Sequence, residues 1–275
     1  MTRLRAMRTA FRNWFIPSVL GYLAISLGDR APRLLRPLLD LQFTLRTRSG
    51  PRIRARLRDI GPPAEVFGLD EYEDPEIEWA GLRYVIDVGA HIGAFTVWVA
   101  GRAPACRVLA IEPNPEALKL LHQNVEWAGL AARVNVLETA VARESGRREL
   151  SITTMSPSAT LLAVGPRLPA LTVAAISLAE AIGESRFPHV DLLKLDVEGA
   201  EEEIFGALQV EGLGWVRTLV VESHPPEAAR VADVIEHVLN RSGFTVRRRS
   251  KGSHALVIGR RQLAEQKGRM ANSLA

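Results

Sequence analysis

From residue 84 onward, short apolar runs alternate with segments whose apolar residues recur at helical spacing. In the segment 115–128, for example, Leu118, Leu121 and Val125 fall on one face of a helix. Glycine, proline and polar clusters separate these segments. The predicted strands are 84–88, 107–111, 133–137, 190–195 and 217–221, and the predicted helices are 94–101, 115–128, 200–208 and 227–242.

This alternation predicts an α/β fold with a mostly parallel sheet and helices on both faces. Near the C-terminus, the β-rich runs 244–248 and 255–259 flank Ser-Lys-Gly-Ser, which is typical of a hairpin. We expect this hairpin to add an antiparallel strand at one edge of the sheet. The segment 144–172 is rich in Ser, Thr, Pro and Gly, and we interpret it as an irregular lid or insertion.

The N-terminal part of the chain carries most of its positive charge. Residues 1–54 hold eleven arginines and two aspartates, a net charge of +9, in a chain of 275 residues whose formal net charge is +4. The remaining 221 residues therefore carry −5. We predict three parts: a basic amphipathic helical arm (1–54), a folded domain (55–261) and a C-terminal tail (262–275). Nucleic acid is disfavoured as a partner because the folded part is acidic.

Two interpretations of the arm stay open. It either lies on an anionic membrane surface or packs on the domain as a helical cap with its arginines in water. The apolar stretch 15–27 would reach about 20 Å as a helix, short of the roughly 30 Å of a bilayer core. A signal peptide also fits the basic start, but no small-residue cleavage pattern follows Leu27.

The cysteine content limits the chemistry. Cys106 is the single cysteine, so a disulfide within the chain and a cysteine-based zinc site are both excluded. Nothing indicates an oxidising compartment. We predict a cytoplasmic protein, with peripheral membrane contact through the arm as the alternative location.

The sequence Tyr84–Thr96, Y-V-I-D-V-G-A-H-I-G-A-F-T, is typical of a ligand-binding turn between a strand and a helix. Asp87 ends the apolar run, and Gly89 and Gly93 allow the backbone to approach a ligand closely. Glu112 follows the second strand, 25 residues after Asp87, where a carboxylate can accept hydrogen bonds from both ribose hydroxyls. The alternative is a tight turn with a capping acid and no ligand.

The composition of this loop favours S-adenosylmethionine over NAD. A dinucleotide loop needs G-x-G-x-x-G, but His91 stands at the second glycine position of G-A-H-I-G. Asp87 would repel a phosphate and suit a cationic amino-acid group. His91 either contacts the cofactor or caps the loop. Glu138, after the third strand, is a candidate contact for the adenine, or else a surface acid.

The stretch Val190–Phe205 is the second candidate site. Lys194 lies on an apolar strand, and Asp196, Glu198 and Glu201 follow its carboxyl end, where ligands bind in open parallel sheets. General-base catalysis, binding of an acceptor hydroxyl and coordination of a divalent metal are all compatible with these residue types. The alternative is helix capping, which explains Glu201 but not an acid–base pair bounding a buried strand.

A histidine beside an acid ends the next strand in V-V-E-S-H-P. His224 is a candidate base oriented by Glu222, unless the pair only marks a polar transition into the loop. The remaining histidines show no metal-ligand spacing, so we assign no metal ligands.

Together these motifs resemble the FkbM-type methyltransferases. The resemblance covers about residues 80–225 and rests on V-I-D-V-G-A-H-I-G-A-F-T, A-I-E-P-N-P, L-L-K-L-D-V-E-G-A-E-E-E-I and V-V-E-S-H, with K-x-D-x-E-G-x-E as its most specific part. His91 replaces the Asn common in the family, and Ala179 replaces a frequent Asp. The resemblance implies a Rossmann-like class I methyltransferase fold with a mostly parallel, seven-stranded sheet and an antiparallel C-terminal edge hairpin.

The resemblance also implies an S-adenosylmethionine-dependent O-methyltransferase acting on a hydroxyl of a small-molecule, sugar or lipid-linked acceptor. On this interpretation His224 or Asp196 is the base, and Lys194 and Glu201 orient the acceptor. The alternatives are an NAD-dependent oxidoreductase and a membrane-docked scaffold without turnover. The expected cofactor-binding residues are Asp87, Gly89, His91, Gly93, Glu112 and Glu138, and the expected acceptor-binding residues are Glu198 and Glu222.

Overall fold

The structure is a computed structural model and describes residues 36–47, 51–152, 159–160, 170–208, 210–224, 227–251 and 254–261. These residues form strands β1 (Gln42–Arg46), β2 (Arg52–Arg56), β3 (Tyr84–Val88), β4 (Arg107–Ile111), β5 (Val134–Leu137), β6 (Ala140–Ala142), β7 (Gly146–Ile152), β8 (Ala159–Thr160), β9 (Ala170–Ser177), β10 (Val190–Leu195), β11 (Val216–Ser223), β12 (Thr245–Lys251) and β13 (His254–Arg260).

The helices connect these strands and cover them. Short 3₁₀ turns lie at Leu57–Asp59, Trp79–Gly81 and Val210–Leu213. The α-helices are α1 (Arg36–Leu39), α2 (Gly61–Gly68), α3 (Ala94–Arg102), α4 (Pro115–Trp127), α5 (Leu178–Glu184), α6 (Glu201–Ala207) and α7 (Ala228–Arg241).

Seven strands form the central sheet in the order β12-β13-β11-β10-β3-β4-β5. All neighbouring pairs are parallel except those of β13, which runs antiparallel to both β11 and β12. The predicted class I methyltransferase topology, with its antiparallel edge hairpin, is confirmed. Strands β3, β4 and β10 have the bounds predicted from their apolar runs.

The central strands of the sheet are buried on both faces, which agrees with their mostly apolar sequences. Neighbouring residues alternate between two cores: Val85 and Leu192 pack with α2, α3 and α4, whereas Ile86 and Leu193 pack with α5, α6 and α7. Because the faces are filled by helices, the carboxyl ends of the parallel strands are left to form the site.

A second sheet occupies a region that we expected to be irregular. Strands β6, β9, β7 and β8 form it in that order, with β7 antiparallel to β9. The prediction of an irregular lid over 144–172 is therefore wrong for β7 and the start of β9. Leu150 on β7 lies between the polar Glu149 and Ser151, Val173 on β9 lies between two exposed residues, and both pack in a small core of their own. Residues 153–158 and 161–169 lie outside the described residues.

Near the end of the predicted arm, the residues that the structure describes form a β-hairpin. β1 pairs antiparallel with β2, and Leu45, Ile53 and Ala55 belong to the core on the α2–α4 face. β2 spans the predicted boundary at residue 54, so the division between arm and domain stays a prediction. Most of the arm (1–35) and the tail (262–275) lie outside the described residues. Among the helices that the structure describes, none has the length and hydropathy of a membrane span.

Candidate functional site

The loop after β3 is held against two neighbouring strands. Gly89 and Ala90 both donate their N–H groups to the carbonyl of Ile111, at 3.0 Å each. Gly89 has φ +74°, and a Cβ there would lie 1.7 Å from the backbone oxygen of Asp196. Only glycine fits this position, because the backbone is left-handed and a carbonyl closes over it. The loop thereby joins the ends of β3, β4 and β10.

Asp87 lies behind this loop rather than in the open. It is fully buried, and its Oδ2 accepts a hydrogen bond of 2.6 Å from Thr96 Oγ1. Its Oδ1 lies 3.3 Å from Lys194 Nζ. Asp87 therefore fixes Lys194, instead of presenting a free carboxylate to a ligand.

Glu112 is positioned by the backbone on each side of it. Its Oε2 accepts the N–H of His91 and its Oε1 accepts the N–H of Asn114, both at 2.8 Å. Burial raises the pKa of Glu112, and His91 opposes that shift. Each oxygen still has a lone pair for a further donor, so the carboxylate can accept from a diol.

His91 is tied to a residue that the sequence analysis did not identify. It has φ +50°, and its Nε2 lies 3.3 Å from Oδ1 of the fully buried Asp59. Arg56 Nε donates to Asp59 Oδ2 at 2.5 Å. Burial alone would raise the pKa of Asp59, but His91 and Arg56 lower it to about 2. Burial lowers the pKa of His91, and Asp59 more than offsets this, so the net shift is upward.

Lys194 is buried at the centre of the site. Its Nζ donates to the carbonyl of Gly89 at 3.1 Å and lies 3.2 Å from Asp196 Oδ2. Burial favours the neutral amine, but Asp196 and Asp87 outweigh it and raise the pKa of Lys194 above its usual range. Lys194 is therefore a fixed cation that holds two carboxylates in place.

His224 joins the acids that follow β10. Its Nδ1 lies 2.7 Å from Oε1 of the fully buried Glu201, and its Nε2 lies 3.4 Å from Asp196 Oδ1 and 3.5 Å from Glu198 Oε2. Burial lowers the pKa of His224, but Glu201 and Asp196 raise it to about 10. For Asp196, burial is outweighed by Lys194 and His224, which lower its pKa.

Glu222 lies beside this group and contacts Tyr72, a residue that the sequence analysis missed. Tyr72 OH donates to Glu222 Oε2 at 3.3 Å. Burial and the nearby Asp196 raise the pKa of Glu222 to about 8. Burial and Glu222 raise the pKa of Tyr72. Tyr72 precedes β3 without a motif of its own, and only the tertiary fold brings it here.

These elements enclose a cleft at the carboxyl ends of β3, β4 and β10. It has about 850 Å³ of empty space, part of which is open solvent. Its wall also contains Thr139 and Leu150, from the second sheet and the loop before it. Of the predicted site residues, those that line the cleft are Gly89, His91, Glu112, Lys194, Asp196 and Glu198.

The other predicted residues lie behind the cleft or away from it. Asp87 is buried beneath Lys194, and Gly93, with φ +83°, packs near Leu121. Glu138 is exposed, and its Oε1 lies 3.4 Å from His122 Nε2, so its contact with adenine stays a prediction. Three predicted residues lie behind the wall of the cleft, on the side of β11: Glu201, Glu222 and His224.

The same carboxylates and histidines offer possible metal ligands. Within the described part of the chain, two groups have ligand atoms within 4.8 Å of one another, and both contain His224. The first adds Asp196 and Glu198, and the second adds Glu222 and His254.

Several known proteins are similar to this chain in sequence or fold. AMB antimetabolite synthetase AmbE of Pseudomonas aeruginosa is 30% identical over 220 residues, which is 66% of this chain but only 10% of that protein. 31-O-demethyl-FK506 methyltransferase FkbM of Streptomyces tacrolimicus is 28% identical over 197 residues, covering 59% of this chain and 72% of that protein. The solved METTL16 MTase domain is similar in fold, with a TM-score of 0.51 at 13% identity over 95% of this chain and 89% of that one.

A family model described as the methyltransferase FkbM domain matches residues 87–246, which include the second candidate motif and all but the first three residues of the first. The match favours methyl transfer over the nicotinamide chemistry that the loop alone left open. The chain belongs to the FkbM methyltransferase family.

Proposed function

We propose that this chain transfers a methyl group from S-adenosylmethionine to a hydroxyl oxygen of a small-molecule, sugar or lipid-linked acceptor. The observation that carries the proposal is that the loop of Gly89 and His91, the carboxylate of Glu112 and the acids after β10 line one cleft. A nucleoside site and an acid–base site that share a cleft suit a reaction between a nucleoside cofactor and a second substrate.

The residues present fit the cofactor. The Glu112 carboxylate, held by two backbone N–H groups, has further lone pairs that can accept hydrogen bonds from a ribose diol. Its negative charge, with that of Asp196, suits a cofactor with a sulfonium and an ammonium group. His91 replaces the glycine that a pyrophosphate-binding loop needs.

The acceptor hydroxyl would lie beside Asp196 and Glu198, because both line the cleft and follow β10, which is separated by β3 from the strand that precedes Glu112. Asp196 is oriented by Lys194 Nζ at 3.2 Å, and it is the better placed of the two predicted bases to accept the hydroxyl proton, since His224 supports the cleft from behind. S-adenosylmethionine supplies a methyl group on a sulfonium, so the oxygen–carbon bond forms as the carbon–sulfur bond breaks.

Alignment of the reactants is the main contribution expected of this chain. The methyl group is already activated, so holding oxygen, carbon and sulfur in line lowers the barrier most. A positioned base adds about 10²–10⁴-fold. The name of the Streptomyces relative describes methylation at an oxygen of a small molecule, which supports the same acceptor class.

The test uses S-adenosylmethionine with a labelled methyl group and a panel of hydroxylated sugars, lipids and polyketides. The proposal predicts a labelled methyl ether from at least one acceptor, with the rate reduced at least about tenfold in Asp196→Asn. Transfer only to nitrogen or sulfur, or equal rates in the variant, would contradict it.

A further inference from the structure

The three side chains of Asp196, Glu198 and His224 have the spacing of a metal site. His224 Nε2 lies 3.4 Å from Asp196 Oδ1 and 3.5 Å from Glu198 Oε2. Both distances exceed a hydrogen bond of normal length. A tetrahedral zinc ion with bonds of about 2.0–2.1 Å separates its ligand atoms by about 3.3–3.4 Å. The two distances from His224 Nε2 are close to this separation, and the ligand atoms of all three side chains lie within 4.8 Å of one another.

The two innermost of these ligands are held by further charged groups. Glu201 Oε1 lies 2.7 Å from His224 Nδ1 and also accepts the Gly199 N–H at 3.1 Å, so it orients the ring with Nε2 toward the two acids. Lys194 Nζ lies 3.2 Å from Asp196 Oδ2, which leaves Oδ1 toward His224. Metal-binding histidines and carboxylates are oriented by partners of this kind.

The local charge also favours a cation. Four carboxylates lie beside Lys194 and His224: Asp87 and Asp196 lie within 3.3 Å of Lys194 Nζ, and Glu198 and Glu201 lie within 3.5 Å of a ring nitrogen of His224. Concentrated negative charge in a partly buried cleft attracts positive ligands strongly, because solvent screening is weak there.

We propose that Asp196, Glu198 and His224 bind one divalent first-row transition metal ion such as Zn²⁺, with a further position open toward the cleft. One imidazole and two carboxylates suit such ions better than they suit Mg²⁺ or Ca²⁺, which prefer oxygen ligands alone. Among the residues described as lining the cleft are Asp196 and Glu198 but not Glu222 or His254, so the first of the two possible ligand groups faces the acceptor space.

An ion in this place would lower the pKa of an acceptor hydroxyl that enters the open position. With the ion bound, Asp196 is one of its ligands, so the hydroxyl proton would pass to solvent rather than to Asp196, and the oxygen–methyl bond would form as the methyl–sulfur bond breaks. This role rests on the proposed methyl transfer. Binding of the ion does not, and it is measured without turnover.

The experiment is calorimetric titration of the untagged full-length chain, stripped with a chelator, with Zn²⁺ alone. S-adenosylhomocysteine is titrated separately into the same preparation. Glu198→Gln removes one charged ligand at a partly exposed position and keeps the side-chain length, so folding is not at risk. Glu203→Gln, on the first turn of α6 but outside the group, is the matched control. His254→Gln tests the second possible ligand group.

The expected result is one Zn²⁺ per chain, with affinity at least about tenfold weaker in Glu198→Gln and changed less than about twofold in Glu203→Gln and His254→Gln. No Zn²⁺ binding, or equal affinity in Glu198→Gln, overturns the site. A loss of Zn²⁺ affinity in His254→Gln overturns the choice of Asp196, Glu198 and His224 as the ligands. If S-adenosylhomocysteine binds and Zn²⁺ does not, only this inference fails. If Zn²⁺ binds and S-adenosylhomocysteine does not, the proposed function fails.

Discussion

Lys194 and Asp87 are register partners on the adjacent parallel strands β10 and β3, and their side chains form a buried ion pair at 3.3 Å. The pair joins the K-x-D-x-E-G block to the glycine-containing loop, since Lys194 also donates to the carbonyl of Gly89. One lysine therefore fixes the relative position of the two motifs that identify the family.

Replacing this lysine tests that relationship. Lys194→Met leaves Asp87 and Asp196 without their cation in a buried site, and breaking a buried pair costs about 3–5 kcal/mol. We expect the free energy of unfolding in urea to fall by that amount. Lys119→Met, which removes an exposed pair with Glu116, is the control and should change it by at most about 1 kcal/mol. A similar loss of unfolding free energy in both variants would contradict the assignment of Lys194 as the buried cation that pairs with Asp87 and Asp196.

Two glycine substitutions should change the stability of the protein in opposite directions. Gly89→Ala places a Cβ against the Asp196 carbonyl at a positive φ, so we expect at least about 2 kcal/mol less stability and loss of cofactor binding. Gly101→Ala, in α3 with open space around it, should add about 0.5–1 kcal/mol. Thermal and urea unfolding measure both. Unchanged stability and binding in Gly89→Ala would show that the loop can adopt another path.

Asn124 connects the N-terminal hairpin to the loop between β3 and α3. It is fully buried, its Oδ1 accepts the Arg54 N–H at 2.6 Å, and its Nδ2 donates to the carbonyls of Ile92 and Arg54. Asn124→Ala leaves these backbone groups unpaired, and we expect a loss of about 2–4 kcal/mol in unfolding free energy. Asn135→Ala, at an exposed position, should cost less than about 1 kcal/mol. Equal effects would mean that the hairpin does not depend on Asn124.

The Asp59–His91 pair predicts a dependence of stability on pH. The pKa of Asp59 is lowered from 3.8 to about 2, so its contribution is present above the ordinary value and is lost as the pH falls from 3.8 toward 2. The pKa of His91 is raised from 6.5, so its contribution is complete below 6.5 and is lost as the pH rises through the raised value. Arg56 and Glu112 are the other charges beside the ring.

The variant His91→Asn tests the part of this pH dependence that comes from the imidazole. Asn tolerates the positive φ at this position and cannot be protonated. We expect wild type to exceed the variant in unfolding free energy most at about pH 5 and least at about pH 9, because the imidazole loses its charge over that range. Urea denaturation at several pH values measures the difference. A difference that is the same at all pH values would show that Asp59 and His91 do not interact as charges.

The central strands could be predicted from the sequence because their runs are mostly apolar and end at glycine, proline or charged residues. The run that ends at Val88 and the run that ends at Leu195 both continue directly into the loops of the candidate site. The same logic placed Glu112 and Asp196 at one edge of the sheet, since parallel strands present their carboxyl ends together.

Other parts could not be predicted in this way. β2 alternates Arg with Ile53 and Ala55, a strand pattern that the high arginine content concealed. β7 has a mixed polar composition because one of its faces is exposed. Asp59 and Tyr72 carry no motif, and their contacts with His91 and Glu222 join residues far apart in sequence. The short distance between His224 Nδ1 and Glu201 likewise depends on the tertiary fold and could not be predicted from the sequence.

The central claim is that the cleft beside Glu112 binds S-adenosylmethionine. Titration of the full chain with S-adenosylhomocysteine in a calorimeter tests it most directly. The account predicts one equivalent bound, no heat with NAD, and affinity at least about tenfold weaker in Glu112→Gln, since one oxygen that accepts from the ribose becomes a donor. Glu126→Gln, exposed on α4, should bind as wild type does. No heat with wild type, or equal affinity in Glu112→Gln, would contradict the account.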